Sequence, residues 1–108
     1  MGGEQALAIG FAHMELFSAI GGLSPSMPRE LAARWAPALA DAKGTTSKMK
    51  VLYIACGRQD PSHLSASRRV AQGLQEHNIK YVYTETEGAH NYAIWQQQMI
   101  EFAPMLFR

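Results

Sequence analysis

The sequence predicts an α/β fold in which about three parallel strands alternate with helices. Three short runs, 17–23, 51–56 and 80–86, are apolar or rich in β-branched and aromatic residues, and longer stretches with helical spacing lie between and after them. The run 51–56 (Val51-Leu52-Tyr53-Ile54-Ala55-Cys56) is apolar without alternation, as a strand buried on both faces requires. Strand–helix alternation of this kind implies a parallel sheet with crossover helices packed on its faces.

Taken in order, residues 3–16 place Leu7, Phe11 and Met14 at helical spacing, with Ala6 and Gly10 small enough for close packing. Residues 17–23 form the first strand, ending at a Ser24-Pro25 turn, and Gly21-Gly22 suits close backbone approach there. Residues 27–42 are Ala-rich and helix-prone, although Pro28 and Pro37 should limit or break that helix. Residues 43–48, with Gly44 and two threonines, read as a polar loop. Gly57 ends the second strand. Pro61 then suits the first turn of a helix with Leu64, Val70 and Leu74 on its buried side, running to His77-Asn78. Residues 80–86 form the third strand, which Gly88 closes. A last helix starts near Asn91 with an apolar stripe of Tyr92, Trp95, Met99, Phe102 and Leu106. The whole of 1–108 reads as one partial domain. No strand precedes the first helix, so the sheet edge at 17–23 is expected to be unpaired, to be covered by an upstream half or a second copy.

Bulk properties exclude several classes of function. A chain of 108 residues that is 47% hydrophobic and 18% charged is an ordinary globular sequence. A net charge of +1, with only Arg68-Arg69 as a basic pair on a helix face, predicts no nucleic-acid partner. No apolar run approaches the ~20 residues of a membrane span, so no membrane partner is expected. Cys56 stands alone and reads as a small core residue. His13, His63, His77 and His90 show no metal-ligand spacing, and there is no phosphate-binding glycine pattern, so neither metal nor cofactor is expected.

In parallel α/β sheets, chemistry gathers at the carboxyl ends of the strands. Asp60 follows the second strand in Cys56-Gly57-Arg58-Gln59-Asp60-Pro61, and His90 follows the third in Glu87-Gly88-Ala89-His90-Asn91. Neighbouring parallel strands would bring these loops together. A buried carboxylate bonded to one imidazole nitrogen fixes the tautomer and leaves the other nitrogen to act as a base. Taken singly, Asp60 also suits a helix N-cap and His90 a polar loop position.

These residues, with Met1-Gly2-Gly3-Glu4-Gln5-Ala6, resemble the α/β-hydrolase superfamily, and within it the esterase D and feruloyl-esterase-like group. The start is similar to the end of a Gly-x-Ser-Met-Gly-Gly nucleophile elbow. Residues 52–60 resemble the strand and turn that bear the family's acid. Glu87-Gly88-Ala89-His90-Asn91-Tyr92-Ala93-Ile94-Trp95 resembles its histidine loop. The resemblance implies the C-terminal portion of an α/β-hydrolase fold and a serine carboxylic-ester hydrolase acting on a small-molecule ester. His90 would be the general base, Asp60 its orienting acid, and the Met1 backbone N–H an oxyanion-hole donor. Tyr92 and Trp95 are candidates to line the substrate pocket, although their spacing also fits core packing.

The elbow serine itself is expected upstream of Met1, so this chain is expected to supply the acid–base pair and to be inactive alone. Ser24 and Ser26 follow the first strand but lack glycine flanks, while Ser62, Ser65 and Ser67 read as capping or surface residues. The alternative is a non-catalytic, self-associating α/β module derived from an esterase.

Overall fold

The computed structural model describes residues 2–26 and 29–107, the side chains of 29–34 excepted. The elements run α1 (Gly2–Ala12), β1 (Ala19–Leu23), α2 (Arg29–Ala40), α3 (Ala42–Lys48), β2 (Val51–Gly57), α4 (Leu64–Glu76), β3 (Val82–Thr86) and α5 (Tyr92–Phe102), with a final 3-10 turn at Ala103–Phe107. The three strands form one parallel sheet in the order β1-β2-β3, with Leu23 opposite Ala55 and Gly57 opposite Thr86. The central strand is the continuous apolar run, and Leu52 through Gly57 are all buried, because helices cover both faces.

The two faces are unequal. On one, Leu7 and Phe11 of α1, Trp35 of α2, and Val70 and Leu74 of α4 pack on Ile20, Leu52 and Ile54. The Phe11 and Trp35 rings meet at 5.4 Å. On the other face Tyr53 and Ala55 pack against Phe102, whose ring stacks on Tyr53 at 5.3 Å. A Cβ at Gly21 would lie 2.6 Å from the Phe102 ring. The glycine therefore lets that ring lie against the strand backbone.

Four expectations are corrected. The first helix stops at Ala12, and residues 13–16 turn into β1. Pro37 lies inside α2 rather than ending it. It occupies the exposed side, where water can solvate the carbonyl that proline leaves without a donor. Most of the stretch read as a polar loop at 43–48 is the short helix α3 (Ala42–Lys48). The Asp41 carboxylate accepts the Gly44 N–H at 3.1 Å, and buried Thr45 donates its hydroxyl to the Ala38 carbonyl at 2.7 Å. Cap and tertiary contact outweigh the weak propensity of Gly44 and the threonines. Finally, α5 buries Ile94, Gln98 and Phe102, and leaves Tyr92 84% exposed and Met99 51% exposed.

Among the described residues β1 pairs only with β2, and the exposed side chains of Ile9 and Phe17 flank its outer side. No helix among them is long and apolar enough to cross a membrane.

Candidate active site

The site forms where β2 and β3 end. Beyond their last paired residues the two strands continue as turns that bond to each other. Arg58 N–H donates to the Thr86 carbonyl at 2.8 Å, and Gln59 N–H donates to the Gly88 carbonyl at 2.9 Å. The Gln59 side chain accepts from the Gly88 N–H and donates to the Glu87 carboxylate, which also holds Arg58 at 2.6 Å. A Cβ at Gly57 would run into the carbonyls of Gly88 and Ala89, so only glycine lets the loops approach this closely. Gly88 has φ of +137°, a conformation that L side chains rarely adopt, and it turns the chain so that His90 follows. Asn91 then caps α5, its side-chain oxygen accepting the Ile94 N–H at 3.2 Å. His90 is thus held between a glycine turn and a helix cap.

Asp60 is completely buried. Its Oδ2 accepts from His90 Nδ1 at 2.6 Å. Its Oδ1 accepts from the His63 backbone N–H at 3.1 Å and from His63 Nδ1 at 3.2 Å. One carboxylate therefore holds the turn before α4 with one oxygen and His90 with the other. Burial pushes the Asp60 carboxyl up, but the hydrogen bonds from His90 and His63 prevail and hold it below the usual carboxylate range. The site therefore contains a buried anion at neutral pH.

His63 is a site residue that sequence spacing did not reveal. The signal lay in Asp60-Pro61-Ser62-His63, since three residues is the separation that brings two side chains together in one helical turn. The imidazoles of His63 and His90 stack face to face, with centroids 4.3 Å apart and 18° between planes. Asp60, His63 and His90 offer ligand atoms within 4.8 Å of one another, a donor set suited in kind to zinc. However, two stacked rings with centroids 4.3 Å apart hold their in-plane lone pairs in separate, nearly parallel planes, so one ion cannot lie in the plane of both. The two oxygens of a carboxylate, by contrast, offer a separate acceptor to each ring. The arrangement suits hydrogen bonding better than chelation.

Trp95 packs edge-on against His90 at 4.7 Å and donates its indole N–H to Ser24 Oγ at 3.2 Å. Ser24 is buried at the end of β1 with φ of +50°. Ser67, read from sequence as a cap or surface residue, is also fully buried and donates to the Pro25 carbonyl at 2.7 Å. It faces inward because α4 lays this side against the start of the β1–α2 connection. Cys56 is buried nearby, where desolvation pushes its thiol pKa up. A cavity of about 380 Å³ opens between His90, Trp95, Gly21, Leu23, Gly2 and Gly3. Gly2 and Gly3 can present only backbone to it, at the start of α1. Tyr92 lies outside this lining, touching Trp95 edge-on at 5.5 Å. Met1, the expected oxyanion-hole donor, lies outside the described residues.

No family model matches the chain. Among the solved structures that share its fold are two hydrolases. A ferulic acid esterase superposes with a TM-score of 0.77 at 17% identity, over 97% of this chain and 47% of that one. S-formylglutathione hydrolase (FrmB) from Staphylococcus aureus superposes with a TM-score of 0.79 at 20% identity, over the same shares. The chain spans about half the length of these proteins. Its three parallel strands, with helices on both faces, are the C-terminal portion of an α/β-hydrolase fold.

Proposed function

We propose that this chain supplies the acid and the base of a serine carboxylic-ester hydrolase, with the nucleophilic serine contributed by an upstream half. The observation that carries the reading is the 2.6 Å bond from His90 Nδ1 to a fully buried Asp60 carboxylate, beside a cavity walled by the backbone at the start of α1. With Nδ1 bearing the proton, His90 Nε2 keeps a lone pair. It accepts the serine proton as Oγ attacks the ester carbonyl carbon, and Asp60 stabilises the imidazolium formed. The carbonyl oxygen becomes an oxyanion, and the family resemblance gives the Met1 backbone N–H the role of receiving it. His90 then returns its proton to the departing alcohol, leaving an acyl-serine. Water, deprotonated by the same nitrogen, hydrolyses that ester. Trp95 bounds the substrate pocket and Tyr92 stands at its periphery. The structural relatives, a ferulic acid esterase and an S-formylglutathione hydrolase, are by name an ester and a thioester hydrolase, which supports hydrolytic acyl transfer as the class of reaction.

The test is kinetic. The chain alone should give no burst with an activated ester. Mixed with an upstream half carrying Gly-x-Ser, it should turn the ester over, and His90→Ala should lower that activity by about 10⁶-fold. Turnover by the chain alone, or by the mixture with His90→Ala intact, would refute the assignment.

The outer side of β1, unpaired among the described residues and with Ile9 and Phe17 exposed beside it, favours a second reading. In that reading the chain is a non-catalytic module that self-associates through this edge. Sedimentation discriminates them: a stable oligomer without ester hydrolysis in any mixture supports the module.

A further inference from the structure

We infer that His63 is a positioning residue: it holds the Asp60 carboxylate in the one rotation that presents a free oxygen to His90. The inference rests on reading Asp60 and His90 as the acid–base pair, and it adds a third member that the pair does not require in principle. A carboxylate bonded on one oxygen only can rotate and lose its directional bond. Here Oδ1 is occupied twice by one residue, through the His63 backbone N–H at 3.1 Å and His63 Nδ1 at 3.2 Å. Only Oδ2 remains, and it meets His90 Nδ1 at 2.6 Å.

The backbone bond alone would serve as a helix-turn cap. The imidazole adds two things. Its ring lies face to face with His90 at 4.3 Å, so it limits the tilt of the base as well as the rotation of the acid. It also covers the acid, leaving Asp60 with no solvent exposure although the His63 side chain is 25% exposed and the His90 side chain 39% exposed. The requirement on chemistry is specific. Both rings must be Nδ1–H donors when neutral, because an ionised carboxylate has only acceptors to offer.

That requirement is read directly by ¹⁵N-detected NMR of the imidazoles in the full chain, with no dependence on turnover. At a pH where both rings are neutral, His63 and His90 should each appear as the Nδ1–H tautomer, and His90 should show a strongly downfield Nδ1 proton. His63→Phe keeps a flat ring on His90 but removes the side-chain donor. It should lower the ratio of Nδ1–H to Nε2–H tautomer at His90 roughly three- to tenfold, the scale of one weakened hydrogen bond to a charged group. His63→Asn restores a side-chain N–H donor and should recover most of that ratio, which a purely space-filling role would not do. Should His63→Phe fail to fold, the wild-type His63 tautomer and the His63→Asn spectrum still decide. The inference is overturned if wild-type His63 is the Nε2–H tautomer, or if neither substitution moves the His90 signals. Absence of hydrolysis in the reconstituted pair, with His90 still responding to His63, would instead overturn only the esterase reading.

Discussion

Changing Asp60 to asparagine keeps the shape of the side chain and removes its charge, so it isolates what the buried anion contributes. Asp60 accepts bonds at 2.6, 3.1 and 3.2 Å. A hydrogen bond to a charged group contributes about 1.5–3 kcal/mol and a neutral one about 0.5–1.5 kcal/mol, so each imidazole bond weakens by roughly 1 kcal/mol. The new amide N–H would also face the His90 Nδ1–H donor to donor, unless His90 moves its proton to Nε2. Release from burying a charge offsets part of the loss. The expected net destabilisation is about 2 kcal/mol at neutral pH, a fall in Tm on the order of 10 °C for a domain of this size. The pH dependence has a definite sign. The folded carboxyl titrates below its ordinary value of 3.8, so its contribution is complete above that pH and is lost as pH falls through the lower folded value. Thermal melts followed by circular dichroism should therefore show a wide gap between wild type and Asp60→Asn at pH 7, and a narrowing gap as the solution is acidified below pH 3.8. A gap under about 0.5 kcal/mol at pH 7, or one independent of pH, would refute the argument that the carboxylate is ionised and directionally bonded.

Other perturbations have equally definite outcomes. Gly57→Ala drives a methyl group into the Gly88 and Ala89 carbonyls and should cost about 1–3 kcal/mol in a denaturant titration while moving the His90 resonances, since the two loops must separate. Trp95→Phe keeps a ring near His90 but leaves Ser24 Oγ without its indole donor; the expected loss is under about 1 kcal/mol, since Ser24 retains its own hydroxyl to repartner. Arg68→Ala breaks the 2.5 Å contact to Glu85, whose carboxyl that arginine holds at about 2. With the arginine side chain 56% exposed and Arg58 still beside Glu85, the change should barely move the thermal midpoint, and raised salt should shrink even that shift. Phe17→Lys places a charge beside the outer side of β1 and should reduce any self-association measured by sedimentation, without altering the Asp60–His90 bond.

The order of the three strands, the burial of β2 on both faces and the placing of Asp60 and His90 at the ends of adjacent strands were legible in the sequence. Each depends on local pattern: an unbroken apolar run, glycines where strands end, and a polar residue one turn beyond. What local pattern cannot carry is which of several compatible faces another element will cover. The α5 sequence offers Tyr92, Trp95, Met99 and Phe102 as a stripe, yet the sheet takes Ile94, Gln98 and Phe102, because Asn91 caps the helix at a rotation set by the Gly88 turn. Likewise α3 forms at a stretch of weak propensity, once Asp41 caps it and Thr45 reaches Ala38. His63 is the clearest case. In sequence it is a polar residue near a helix start, and it joins the site only when the β3 loop lays His90 across it. The sequence by itself determined that an acid and a base stand at neighbouring strand ends. Tertiary structure decided that the two imidazoles stack on each other while sharing that acid, because the contact between His63 and His90 exists only once the loop after β3 is laid against the turn before α4.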